Sequence, residues 1–271
     1  MLDQNNLRID SAHPCLILFL LDQSGSMNES FANSSHKKSE ELATAVNRII
    51  IEIGLRCRVG GSNLKNRFEL AVIGYGGDKV RSGWEGALAG RWVQPIDNVF
   101  KSVIGVDQNE RPYWIKPYAY GETPMTKAFE NAKRLCTDWI TWGNHVDCHP
   151  PILINVTDGE ATDAGPNFEL LLNEANVIRM LQTRWGSVNI FNMHLSSHPG
   201  DEIIFPSTLQ NIKNDFARLL FEISTPLSEH MIWKAVNIGI AMENHARGYV
   251  FNGSAITLMN FLNIGTRPLF N

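Results

Sequence analysis

Five oxygen-bearing side chains are spaced so that they could meet around one cation. In "LLDQSGSM", Asp22, Ser24 and Ser26 alternate where a long apolar run stops. Side chains two apart in an extended segment point the same way, so one carboxylate and two hydroxyls can face a common centre, with Gly25 letting the backbone turn. A second apolar run, "ILINVT", stops at Asp158 and is followed by Gly159. In "GETPMTKAF", Pro124 suits the first turn of a helix, which puts the Thr123 hydroxyl at a helix entrance. If the two apolar runs are adjacent strands, Asp22 and Asp158 flank the place where open α/β sheets bind ligands. Two carboxylates sharing such a site repel unless one is protonated or a cation lies between them. The set Asp22, Ser24, Ser26, Thr123 and Asp158 offers only hard donors, which favours Mg2+, Mn2+ or Ca2+ over zinc. Taken singly these are ordinary turn and cap residues; their joint occurrence carries the reading.

The elements that must position these groups alternate between strand and helix patterns, as in a parallel sheet covered on both faces. Strands are expected at 15–21, 67–75, 151–157, 188–195 and 247–251, with an edge piece near Trp92. Apolar spacing of three and four predicts helices from Lys37 to Cys57 and from Thr126 to Trp139. Further helices are expected from Asn167 to Arg184, Ser207 to Ile223, Ser228 to Asn244 and Ser254 to Leu262, with Ser207, Ser228 and Ser254 as N-caps. Two stretches, 105–121 and 140–151, read as long loops, which are often functional. The aromatics of the first, Tyr113, Trp114, Tyr118 and Tyr120, either fold back onto the domain or stand at the metal face as binding anchors. Asp163 is expected to turn the chain or cap the helix after it, and Glu160 to face solvent. His145, Cys148 and His149 lack a fourth partner at zinc spacing and read as a loop with incidental histidines.

At 271 residues, 44% hydrophobic and 19% charged, the chain can bury a substantial core, and disorder is excluded. A net charge of −4 without basic blocks argues against nucleic acid and anionic lipid as partners. The longest apolar run, from Cys15 to Leu21, is far short of the roughly 20 residues that span a bilayer, and the polar start "MLDQNNLRIDSAHP" is unlike a secretory signal. Four scattered cysteines fit a reducing, cytoplasmic setting better than a disulfide framework. One domain is expected over 1–271, with an extension at 1–14 and a core at 15–265.

"DQSGSM", "GETPMTKA" and "VTDGEATD", in that order and after the expected elements, resemble the von Willebrand factor A (VWA) domain with a complete metal-ion-dependent adhesion site (MIDAS). The closing "ARGYVFN…LMNFLNIGT" is similar to stand-alone bacterial members, including those of tellurium-resistance-type stress operons. The resemblance implies a Rossmann-like, doubly wound, mostly parallel sheet of order 3-2-1-4-5-6 with an antiparallel edge strand, and a metal held by Asp22, Ser24, Ser26, Thr123 and Asp158. It implies a protein-interaction module rather than an enzyme, whose partner completes the metal shell with an Asp or Glu. Partners implied by similarity are kinases, phosphatases or AAA-type ATPases of the same operon. A Mg2+-dependent hydrolase or phosphotransferase is the competing class. Against it stand the lack of phosphate-binding glycine motifs and of any Arg or His within the metal motifs. A scaffold stabilised by the ion is a third reading.

Overall fold

The fold is a computed structural model describing residues 9–31, 35–61, 63–195, 201–210, 214–237 and 239–266. Of the extension expected at 1–14, residues 1–8 lie outside the described residues, and 9–14 lead without helix or strand into the sheet. The elements run β1 (Cys15–Asp22), α1 (Lys38–Cys57), β2 (Phe68–Gly76), β3 (Lys79–Ser82), β4 (Val93–Pro95), α2 (Ile96–Lys101), β5 (Gly105–Val106), β6 (Pro112–Tyr113) and α3 (Met125–Thr137). They continue with β7 (Ile152–Thr157), α4 (Glu169–Met180), β8 (Gln182–Thr183), β9 (Gly186–Ser187), β10 (Asn189–Leu195), β11 (Ile203–Ile204), α5 (Asp215–Ile223), α6 (Glu229–Asn237), β12 (Tyr249–Gly253) and α7 (Ala255–Thr266).

The main sheet has the order β3-β2-β1-β7-β10-β12-β11, with β4 also on β2. Its five inner strands are parallel, while β3 and β4 on one side and β11 on the other are antiparallel. Counting β1, β2, β3, β7, β10 and β12 as one to six gives the expected 3-2-1-4-5-6, with β3 as the antiparallel edge. The edge strand β3, "KVRS", has no counterpart among the expected elements, because its polar, half-exposed residues carry no apolar pattern. Trp84 and Trp92 pack behind this edge, the Trp84 indole N–H donating to the Trp92 carbonyl at 2.9 Å.

Every residue of β1 is buried, and alternation sorts its side chains between two cores. Cys15, Ile17, Phe19 and Leu21 pack with Leu42, Val46, Ile49 and Ile53 of α1 and with Phe261 of α7. Leu16, Leu18 and Leu20 pack with Phe129 and Ala132 of α3, Leu171 of α4 and Leu220 of α5. Both faces of the strand are covered, so its sequence is continuously apolar rather than alternating. The asymmetry of polarity is therefore displaced to the strand's ends, where Asp22 stands. All four cysteines are buried and unpaired.

Three helices depart from expectation. The helix that was to start at Ser207 begins at Asp215, capped by the Asn214 side chain, which accepts from the Ala217 N–H at 2.7 Å; residues 211–213 of the expected span lie outside those described. α4 ends at Met180 because residues 182–187 turn back as the β8–β9 hairpin. α6 ends at Asn237, short of Asn244. Ser228 and Ser254 do cap their helices, accepting from the N–H groups of Met231 and Thr257. Among the described residues no helix is long and apolar enough to cross a membrane.

Candidate metal centre

The carboxyl ends of four neighbouring strands are level. Asp22 stands beside Tyr75 in the register of β1 with β2, Leu21 beside Val156 in β1 with β7, and Thr157 beside His194 in β7 with β10. That alignment sets Asp22 next to Thr157, whose hydroxyl donates to Asp22 Oδ2 at 2.6 Å. Asp22 Oδ1 accepts from the Ser24 backbone N–H at 2.8 Å, so both its oxygens are held.

Ser24 is extended, but residues Gly25–Asn28 coil into a 3-10 turn. Ser26 therefore reaches the centre by the turn and not by continued strand alternation. Its hydroxyl lies 3.1 Å from that of Ser24 and donates to Asp158 Oδ1 at 2.7 Å. Thr123 is buried, and a Cβ built on Gly159 would stand 3.8 Å from Ser26 Oγ and 4.0 Å from Thr123 Oγ1, which places both hydroxyls around that glycine. Asp22, Ser24, Ser26, Thr123 and Asp158 are thus brought together at one rim of the sheet.

Backbone bonds fasten the segment carrying Thr123. Gln23 donates to Tyr75 O and accepts from Tyr120 N–H, both at 2.7 Å, and Gly25 N–H donates to Gly121 O at 2.8 Å. Gly121, at φ +68°, lies so close to Gly77 that a Cβ would come within 2.5 Å of its Cα; only glycine allows this approach. Asp163 caps a different helix from the one expected. Its two oxygens accept the N–H groups of Thr126 and Lys127 at 2.9 and 3.0 Å, closing the start of α3 rather than of α4. Glu160 is exposed and accepts from Asn214 at 3.3 Å.

The aromatic loop divides between its two expected fates. Trp114 is buried, its indole N–H donating to Val99 O at 2.6 Å, and Asn47 of α1 accepts from the N–H groups of Trp114 and Ile115. Tyr118 and Tyr120 are 45% and 67% exposed and stand on the segment that leads to Thr123. The Arg81 guanidinium lies 3.8 Å from the Tyr118 ring centroid and donates to the Gln23 side chain. In the other loop, His145 stacks on Trp139, and His149 lies 3.6 Å from the Cys15 thiol.

Two groups went unread in the sequence. Thr157 orients Asp22, a role that a strand-end threonine before "DG" does not announce. Lys38, the first residue of α1, is buried, and its ammonium contacts Asp158 Oδ2 at 2.6 Å and Glu29 Oε2 at 3.1 Å. The site nevertheless holds a cationic side chain that no motif carries: the lysine lies 120 residues from Asp158 in the sequence. His194 stands beside Thr157 with Nδ1 buried and unpartnered among the described residues, and burial pushes its pKa down to about 4.

Burial, and next the charge of Asp158, push the Asp22 pKa up to about 6 against the hydrogen bonds from Ser24 and Thr157. A crowded pair of carboxylates ringed by three hydroxyls, with neither thiolate nor imidazole facing it in the set, fits a hard divalent ion. Among the described residues there is no cluster of three His, Cys, Asp or Glu side chains of metal-binding kind. 

No protein-family model and no curated protein matches the sequence. Among solved structures the chain is similar to a von Willebrand factor type A protein from Catenulispora acidiphila, at 12% identity and a TM-score of 0.50, over 95% of this chain and 43% of that one. It is also similar to the pilus adhesin RrgA from Streptococcus pneumoniae, at 16% identity and a TM-score of 0.34, over 58% of this chain and 22% of that one. The chain spans less than half the length of either structure. The first likeness shows the fold: a VWA-type α/β domain with a mostly parallel sheet flanked by helices.

Proposed function

We propose that the chain is a divalent-metal-dependent protein-interaction module. Asp22, Ser24, Ser26, Thr123 and Asp158 hold Mg2+, or Mn2+ or Ca2+, as a MIDAS, and a partner docks through an Asp or Glu. The observation that supports this best is the meeting of two carboxylates and three hydroxyls from three distant segments at one rim. When bound, the ion supplies a Lewis-acidic position that an external carboxylate can fill. The chain's own residues do the rest. Thr157 and the Ser24 N–H orient Asp22, Ser26 orients Asp158, and Tyr118 and Tyr120 offer rigid, half-apolar surface beside the ion for partner contact.

By resemblance, the partner belongs among the kinases, phosphatases or AAA-type ATPases of a bacterial stress operon, in the cytoplasm. The test has two stages. Calorimetry with Mg2+ and Mn2+ should show uptake by the wild type and none by Asp22→Ala. Proteins encoded beside the gene should then bind in Mg2+ and release in EDTA; affinity that is unchanged by EDTA and by Asp22→Ala rejects the reading.

Lys38 gives a specific reason to keep the hydrolase or phosphotransferase as a second reading, since it sets a buried ammonium on Asp158. Its ammonium, however, is spent on two carboxylates. Turnover of phosphate esters or nucleotides that is lost in Asp158→Ala would favour that class.

A further inference from the structure

Lys38 occupies a place that ordinary helix energetics disfavours. It is the first residue of α1, where the helix dipole repels cations, and its side chain is 1% exposed although lysine is almost never fully buried unless paired. The chain has built a seat for it. The Lys38 backbone N–H donates to Glu29 O at 3.0 Å, Ser30 and Lys37 form an antiparallel bridge, and Phe31 of the same excursion is buried. This sets Glu29 beside Lys38, so that Glu29 and Asp158 both contact the ammonium. Asp158 then has both oxygens engaged, Oδ1 by Ser26 and Oδ2 by Lys38.

We propose that Lys38 is the resident counter-cation of this site: its ammonium neutralises Asp158 until a divalent ion displaces it, so that metal uptake is an exchange of one cation for another. The proposal rests on the metal-centre reading above. A divalent ion bound to Asp158 would stand within a few ångströms of the ammonium, and two like charges in so buried a place repel strongly. The lysine must move toward Glu29, whose side chain is 58% exposed and leads out to solvent. Two consequences follow: Asp158, though not Asp22, is neutralised in the metal-free site, and metal affinity is lower than the oxygen ligands alone would give. The side chains of Lys38 and Glu29 shift with occupancy, which couples the ion to a surface beside the partner's footprint.

The test titrates metal-free wild type, Lys38→Met and Lys38→Gln with Mg2+ and Mn2+ by calorimetry and follows their melting temperatures. Both variants should bind the ion at least about tenfold more tightly. They should melt below wild type in EDTA and gain more from added metal. Equal or weaker binding by the variants overturns the exchange while leaving the metal centre standing; no binding by any of the three overturns both. Should Lys38→Met not fold, Lys38→Gln keeps a donor for Asp158 and carries the comparison. In the wild type, the Lys38 Nζ resonance should be sheltered from water exchange in EDTA and lose that shelter on adding Mg2+. A signal that saturating Mg2+ leaves unmoved overturns the proposal.

Discussion

Two buried polar clusters lie within one side chain of each other and are built on opposite principles. At the rim, Asp22, Asp158, Ser24, Ser26, Thr157 and Lys38 crowd charge against charge. Beneath it, Tyr75, Asn155, Asn192 and Ser224 form a neutral chain across β2, β7 and β10 to α5. The Tyr75 hydroxyl donates to Asn155 Oδ1 at 2.8 Å, Asn155 to Asn192 at 3.0 Å, Asn192 to Ser224 at 2.9 Å, and Ser224 to Leu220 O at 2.6 Å. The lower chain hands each donor to an acceptor and needs nothing from outside. The upper cluster leaves one carboxylate with its pKa displaced toward neutrality by burial and by its neighbour. Completeness marks the cluster that holds the sheet, and electrostatic incompleteness marks the one proposed to receive a ligand.

The sharpest way to break this contrast is Asp22→Ala, which should cost at least about a thousandfold in Mg2+ affinity by calorimetry, roughly 4 kcal/mol, while the metal-free chain still melts cooperatively. Acidification separates the clusters next. The folded Asp22 pKa, about 6, lies above the ordinary aspartate value of 3.8, so between these values the folded state binds more protons than the unfolded one. Stability of the metal-free chain should therefore rise as pH falls from about 6 toward 4, by at most about 1.4 kcal/mol per pH unit, and stay flat above. Denaturant midpoints in EDTA check this, and Asp22→Asn should flatten the curve. Metal affinity should move the opposite way, weakening below about pH 6 because the ion competes with that proton. Asn155→Leu strikes the lower chain instead. It leaves the Asn192 side-chain carbonyl without the Asn155 donor and the Tyr75 hydroxyl with only its longer contact to the Val156 carbonyl at 3.4 Å, and should lower stability by about 2 kcal/mol, with ion affinity kept within about threefold. Smallest is Tyr120→Ala, expected to change stability by under about 0.5 kcal/mol and to weaken partner binding by about 1 kcal/mol.

The difference between the clusters also explains what could be read from the chain beforehand. β1 and β7 were legible because covering both faces of a strand demands an unbroken apolar run, and such a run has an unmistakable end. Asp22 and Asp158 stand at those ends, and Ser24, Ser26 and Thr123 lie in short local motifs, so each announced itself. Lys38 did not, since a lysine at a helix start normally reads as solvated surface and its partner is remote in sequence. Thr157 was hidden for the same reason: its meaning comes from the strand beside it. β3 was invisible because an exposed edge imposes no period on "KVRS". Residues 207–210 misled as helix because the true cap, Asn214, lies seven positions after the serine that imitates it.

Asp163 and its neighbour have a mechanical consequence. Thr162 N–H donates to the Thr123 carbonyl at 3.0 Å while the Asp163 carboxylate grips the first amides of α3, so two loops from opposite sides of β1 are stitched to a single helix end. A load applied to one loop cannot be absorbed as slack in that loop. It is delivered to the start of α3, whose Phe129 and Ala132 pack against one face of β1.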